Sequence, residues 1–213
     1  MSATFEQALK KRIIPVVAIH ETENAHPLAD ALIEGGLPCA EITFRTEAAE
    51  SVIKTLAQRQ DILVGAGTVL TLEQAKAAAG AGAGFIVSPG LGEKVVQYCL
   101  DHSIPVTPGV CTPTDIQRAL ELGLTLLKFF PAEALGGLKT LKAICAPFTM
   151  ATFIPTGGIN AQNLCDYLAH PQVPAVGGSW MVQSKLITAR RFDEITRLTR
   201  EAVALAATVP SGG

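Results

Sequence analysis

Eight short apolar runs, separated by stretches with helical patterning, constrain what this chain can fold into. They are IIPVVAI at 13–19, CAEITFR at 39–45, DILVGAGT at 61–68, FIVSP at 85–89, IPVTPGV at 104–110, LLKFFPA at 126–132, TFIPTGG at 152–158 and PAVGGSW at 174–180. The runs are apolar rather than alternating, the pattern of strands covered on both faces of a parallel sheet. Segments between them, such as TLEQAKAAAGAG and TPTDIQRALELG, open on threonine caps and close on glycine. Eight βα units in sequence predict a (β/α)8 TIM barrel; a doubly wound open sheet usually needs fewer. The chain has 213 residues, fewer than the about 250 typical of such barrels, so its loops must be short. Residues 1–213 therefore read as one domain, with a short amphipathic N-terminal helix over 1–12 and a loose tail over 208–213.

Composition agrees with helices of small residues packed on Val/Ile-rich strands: the hydrophobic fraction is 48% while aromatics make up only 5%. The formal net charge is −2, with no block of like charge, so no electrostatic footprint for nucleic acid or an anionic membrane is present. A small-molecule substrate is the expected partner. No apolar stretch reaches membrane-spanning length, and MSATFEQALKKR is a helix start rather than a signal peptide. Five scattered cysteines without a CxxC pair read as reduced thiols, so the expected location is cytoplasmic.

A barrel of this kind carries its chemistry at the carboxyl ends of the strands and in the loops after them, and the polar residues of the runs fall there. Glu41, Thr43 and Arg45 share one face of the second strand at period two, Thr68 ends the third, and Lys128 lies within the sixth. The other lysines all fall in helical or loop segments. An ammonium among Leu126, Leu127, Phe129 and Phe130 has two readings. In one it snorkels to the barrel end or pairs with a buried acid such as Glu41. In the other, burial lowers its pKa until the neutral amine attacks a carbonyl carbon and forms a Schiff base. The resulting imine is an electron sink, which aldol cleavage needs. Glu41, a lone carboxylate among apolar neighbours, then either neutralises a cation or transfers protons. Arg45 suits bidentate binding of a substrate carboxylate.

Glycine-rich turns end three strands. GAGT at 65–68 brings backbone near the mouth, with Thr68 adding a hydroxyl. PTGGIN at 155–160 and VGGSW at 176–180 end the seventh and eighth strands, where barrels frequently bind phosphate on backbone N–H groups and a helix amino terminus. Gly157, Gly158 and Ser179 are the candidates for that role; tight turns without a ligand are the other reading. The four histidines form no metal-ligand spacing and no acid cluster marks a divalent cation, so no metal or cofactor is expected. His20 at the end of the first strand reads as a surface or satisfied core residue with a route to the mouth.

EITFRT at 41–46, VGAGTVL at 64–70, SPGL at 88–91, KFFPAE at 128–133, PTGGI at 155–159 and GGSW at 177–180 together resemble the bacterial KDPG/KHG aldolases, in order and spacing, over nearly the whole chain. The resemblance implies a class I aldolase that cleaves 2-keto-3-deoxy-6-phosphogluconate to pyruvate and glyceraldehyde 3-phosphate. It implies Lys128 as the Schiff-base lysine and Glu41 as the general acid/base. Arg45 and Thr68 would bind the pyruvate carboxylate, Pro89 and Phe130 shape the pocket, and Gly157, Gly158 and Ser179 take the phosphate. A homotrimer and the Entner-Doudoroff pathway are also implied. Phe44 and Leu135 depart from the closest pattern; both flank the site and bear on aldehyde preference. The alternatives are an aldolase for 4-hydroxy-2-oxoglutarate or for the galactonate epimer, a phosphosugar isomerase or epimerase, and a sugar-phosphate binder without turnover.

Overall fold

The structure, a computed structural model, describes residues 3–210. Its helices and strands alternate as far as the fifth helix: α1 Ala3–Leu9, β1 Ile13–Val17, α2 Ala25–Glu34, β2 Cys39–Thr43, α3 Ala49–Leu56, β3 Leu63–Gly67, α4 Leu72–Gly80, β4 Ile86–Val87 and α5 Glu93–Asp101. There follow β5 Val106–Thr107, β6 Gly109–Val110, α6 Pro113–Glu121, β7 Leu126–Phe129, α7 Gly137–Cys145, β8 Thr152–Pro155, α8 Leu164–Leu168, β9 Val176–Gly178, α9 Ser184–Thr188 and α10 Phe192–Ala207. Each of the eight apolar runs holds strand, shorter than the run itself. The threonine caps form as the sequence indicates: Thr71 accepts from the Gln74 N–H, and Thr112 and Asp115 complete a capping box. Caps of this kind are worth about 1 kcal/mol each.

All strand pairs are parallel. The ladders divide into an open six-stranded sheet, ordered β5-β4-β3-β2-β1-β9, and a three-stranded sheet, β6-β7-β8. One continuous eight-stranded ring is thus not what the hydrogen bonds draw. One of the two breaks has a local cause: Pro108, which has no N–H to donate, parts β5 from β6 inside one of the predicted runs. A bridge between Thr156 and Gly177 lies where β8 approaches β9.

The curled sheet has a core on each face. The larger one fills the space between strands and helices. The smaller one lies on the inner face and gathers Phe5, Ile14, Cys39, Phe85, Val87, Leu126, Ile154 and Ala175. Cys39 and Leu126 begin their strands, and Phe85 and Ala175 immediately precede theirs, so this cluster sits at the amino end of the sheet. The α1 helix seals it. Phe5 is 1% exposed and stacks on Phe85 with ring centroids 4.7 Å apart. Gly65 makes room for that stack, because a Cβ there would lie 2.3 Å from the Phe85 ring.

The start of the expected tail is held rather than loose: the Arg12 guanidinium donates to the carbonyls of Val209, Ala206 and Leu168. Residues 211–213 of that tail, and Met1 and Ser2 of the expected helix, lie outside the described residues. Among the described residues no helix is long and apolar enough to cross a membrane.

Candidate active site

Lys128 is the third residue of β7 and points to the inner face, above the apolar cluster. Its register neighbours are Gly109 and Ile154. Glu41, at the centre of β2, faces the same space. The two residues are 5% and 3% exposed, and Lys128 Nζ lies 3.5 Å from Glu41 Oε1. Two charges buried in this way are tolerated only when they face each other, and a single long contact leaves both groups with unused hydrogen-bonding capacity. The Lys128 ammonium also lies 5.2 Å from the centroid of the Phe130 ring. The contact fits both readings of the lysine, as half of a buried ion pair and as an amine beside a carboxylate.

Neighbouring backbone is shaped around the pair. Gly67, at the end of β3, has no side chain where a Cβ would come 2.2 Å from Glu41 Oε1. Thr68 follows it at φ +55°, left-handed backbone that costs a non-glycine residue on the order of 1–3 kcal/mol. Thr43 is buried, donates to the Val17 carbonyl at 2.7 Å and accepts from Arg45 Nε at 3.1 Å. Arg45 stays on the side of Thr43, to whose hydroxyl it is hydrogen-bonded, but lies past the end of β2. The strand ends at Thr43, the chain turns, and the Arg45 side chain is exposed beyond the rim while tethered through its Nε.

The remaining candidates also sit past strand ends. Pro89 is half-buried after β4, and its carbonyl lies where a Cβ on Gly109 would fall, 2.0 Å away. Gly157 and Gly158 follow β8 with φ of +98° and +84°, which only glycine adopts without strain. Ser179 follows β9 and is exposed. The Thr156–Gly177 bridge brings these two turns side by side. The helices α8 and α9 have five residues each and begin at Leu164 and Ser184, away from the turns. Turn backbone, rather than a long helix terminus, is thus what the site offers an anion.

Two residues escaped the sequence reading. Thr107 and Thr156 are buried on the inner face and line the same space as Glu41 and Lys128. Thr107 Oγ1 has no hydrogen-bond partner among the described residues. A threonine inside the apolar run IPVTPGV was the available signal, of the same kind that exposed the lysine. Of the two departures from the family pattern, Phe44 packs against the outer core and Leu135 is solvent-exposed. His20 is exposed, and no group of three His, Cys, Asp or Glu residues with metal-binding geometry occurs among the described residues. All five cysteines are free; burial raises the pKa of Cys99 to about 11 and that of Cys39 further, which makes them poor nucleophiles.

Comparison with known proteins gives a consistent result. Residues 5–198 match the model of the family described as KDPG and KHG aldolase. A 2-dehydro-3-deoxy-phosphogluconate aldolase of Treponema pallidum is 50% identical over 202 residues, covering 94% of this chain and 96% of the relative. A solved KDPG aldolase from Legionella pneumophila, with pyruvate captured at low pH as a covalent carbinolamine intermediate, has a TM-score of 0.88 and 40% identity, covering 92% of this chain and 96% of that one. The 2-keto-3-deoxy-6-phosphogluconate aldolase of Zymomonas mobilis ZM4, with 3-phosphoglycerate, gives 0.87 and 36%, covering 94% and 95%.

Proposed function

Because the chain belongs to the KDPG and KHG aldolase family, we propose that Lys128 is its imine-forming residue and Glu41 its general acid/base. The protein is an aldehyde-lyase, and its reaction is the cleavage of 2-keto-3-deoxy-6-phosphogluconate to pyruvate and D-glyceraldehyde 3-phosphate. The observation that carries the residue assignment is the buried contact of 3.5 Å between Lys128 Nζ and Glu41 Oε1 at the carboxyl end of the sheet.

The neutral Lys128 amine adds to the C2 ketone, and loss of water from the carbinolamine gives the imine. Glu41, directly or through water, takes the proton of the C4 hydroxyl. The C3–C4 bond breaks, its electrons pass into the protonated imine as an enamine, and the aldehyde leaves. A proton then returns to C3, and hydrolysis of the pyruvate imine frees the lysine. The carbinolamine captured in the Legionella protein, which is what an amine gives on adding to a ketone, supports this route.

Around that centre, Arg45 and Thr68 hold the carboxylate of the 2-keto acid, Pro89 and Phe130 shape the pocket, and Gly157, Gly158 and Ser179 hold the phosphate. The phosphorylated three-carbon acid in the Zymomonas structure supports a phosphate subsite. Arg45 reaches the substrate from the rim, as its exposed position requires. We further infer that the chain is one aldolase domain and that its sheet closes into the eight-stranded barrel, which the Thr156–Gly177 bridge and the continuity of β5 and β6 through Pro108 support. A homotrimer working in the cytoplasm, in the Entner-Doudoroff pathway, completes the reading.

Borohydride reduction in the presence of pyruvate is the test. It is expected to add one reduced pyruvate to wild-type protein and none to Lys128→Met; labelling of that variant would remove Lys128 from the mechanism. Relative kcat/KM over 2-keto-3-deoxy-6-phosphogluconate, its galactonate epimer and 4-hydroxy-2-oxoglutarate fixes the aldehyde preference. A chain that is not labelled at all, and turns none of these over, would instead be an isomerase, an epimerase or a binder.

A further inference from the structure

Beside the Gly157–Gly158 turn stands a carboxylate that the mechanism does not use. Glu133 opens the short 3-10 turn Glu133–Leu135 after β7, and its backbone N–H donates to the Gly157 carbonyl at 3.0 Å. Next to it, the Ala132 N–H donates to the Thr156 carbonyl at 2.8 Å, so the chain after β7 is laced to the chain after β8. The Glu133 side chain then passes directly against Gly158: a Cβ on that glycine would fall 2.5 Å from Glu133 Cγ. On the other side, the side-chain amides of Asn160 and Asn163 both donate to the Gly158 carbonyl, at 3.2 and 3.1 Å.

A negative charge in this position opposes a phosphate dianion in the same turn. Its direction is set by one contact. Glu133 Oε1 accepts from the hydroxyl of Tyr167 at 2.5 Å, and the Tyr167 side chain, on α8, is 1% exposed. Gly137, at the start of α7, leaves room for the pair; a Cβ there would lie 2.8 Å from Glu133 Oε1 and 3.2 Å from the Tyr167 hydroxyl. Burial, with the adjacent carboxylate adding to it, pushes the Tyr167 phenol well above its ordinary pKa, so it stays a donor. Among the described residues no cation forms an ion pair with Glu133.

We propose that Tyr167 is a specificity-determining positioning residue: its hydroxyl turns the Glu133 carboxylate towards α7 and α8, away from the Gly157–Gly158 turn, and so lets that turn receive a phosphorylated substrate. This rests on the assignment of Gly157, Gly158 and Ser179 to the phosphate. Tyr167 acts through charge placement, touching no reacting atom, and its effect is therefore confined to substrates that carry the phosphate.

The test compares kcat and KM for 2-keto-3-deoxy-6-phosphogluconate and for unphosphorylated 4-hydroxy-2-oxoglutarate in wild type, Tyr167→Phe, Glu133→Gln and the double variant. Tyr167→Phe is expected to raise KM for the phosphorylated substrate about fivefold, leaving its kcat and both constants for the unphosphorylated one unchanged. In the double variant the loosened side chain is uncharged, and KM returns close to wild type. Glu133→Gln alone keeps an acceptor for Tyr167 and is expected to lower KM about twofold for the phosphorylated substrate only. The proposal falls if Tyr167→Phe leaves KM unchanged, if both substrates suffer alike, if the double variant is no better than the single, or if Glu133→Gln raises KM. Ser179→Ala and competition by inorganic phosphate examine the phosphate assignment separately. If that variant keeps its KM for the phosphorylated substrate and phosphate does not compete, the assignment fails and this proposal with it; a normal result there, beside an inert Tyr167→Phe, removes the role of Tyr167 alone.

Discussion

The two ends of the inner face are built from the same strands and do opposite things. At the amino end, Phe5, Ile14, Phe85, Leu126 and Ile154 close on one another, and α1 covers them. At the carboxyl end, a residue or two further along the same strands, Glu41, Thr43, Thr107, Lys128 and Thr156 are just as buried but polar. Leu126 and Lys128 are two positions apart on β7, and Cys39 and Glu41 two positions apart on β2. Period two keeps both members of each pair on the inner face, so these two strands each carry an apolar core residue and a member of the proposed site. The apolar cluster lies directly beneath the buried pair, and the two share one inner face.

That division of labour can be broken from either end. The largest expected effect is on turnover: Lys128→Met should lose at least about 10^4-fold in kcat, as expected where a covalent route is removed, measured by coupling pyruvate release to lactate dehydrogenase. Phe5→Ala strikes the other end. Its expected cost is about 3–5 kcal/mol of unfolding free energy in urea, with kcat of the folded fraction within about twofold of wild type. A large fall in kcat without loss of stability would show that the seal belongs to the chemistry instead. Gly67→Ala forces a methyl group against the Glu41 carboxylate and is expected to lower kcat about 100-fold, roughly the effect of losing a general acid/base, while borohydride trapping of pyruvate persists.

Thr107→Val sharpens the boundary between the two regions and has the smallest effect. Removing a buried hydroxyl without a partner should raise stability by about 1 kcal/mol, seen as a higher Tm. If the variant is instead less stable and turns over at least about tenfold more slowly, Thr107 belongs to the chemical end.

Much of this was legible in the chain. Eight apolar runs announce eight strand positions, and a lysine inside one of them points to the proposed site, because burial makes a charge conspicuous. Glu41 was one candidate partner for Lys128 in the strand pattern, and the structure brings the two together. The exposure of Arg45 was not legible, since the run CAEITFR does not show that β2 stops at Thr43 and leaves the arginine beyond it. The parting of β5 from β6 at Pro108 was hidden in a run that looked continuous. Amphipathic patterning showed that the first helix has an apolar face, but not that this face covers the sheet's interior. The orphaned hydroxyl of Thr107 and the Glu133–Tyr167 contact depend on side-chain packing between distant segments, which no local pattern encodes.

The placement of Phe5 also orders events in time. Its apolar partners come from as far along the chain as Leu126, Ile154 and Ala175, so the helix that carries Phe5 is synthesised well before its seat is complete. Closing so long a loop is slow relative to local contacts, and a nascent chain halted before residue 126 should leave its amino-terminal helix open to proteolysis while the first βα units are already protected.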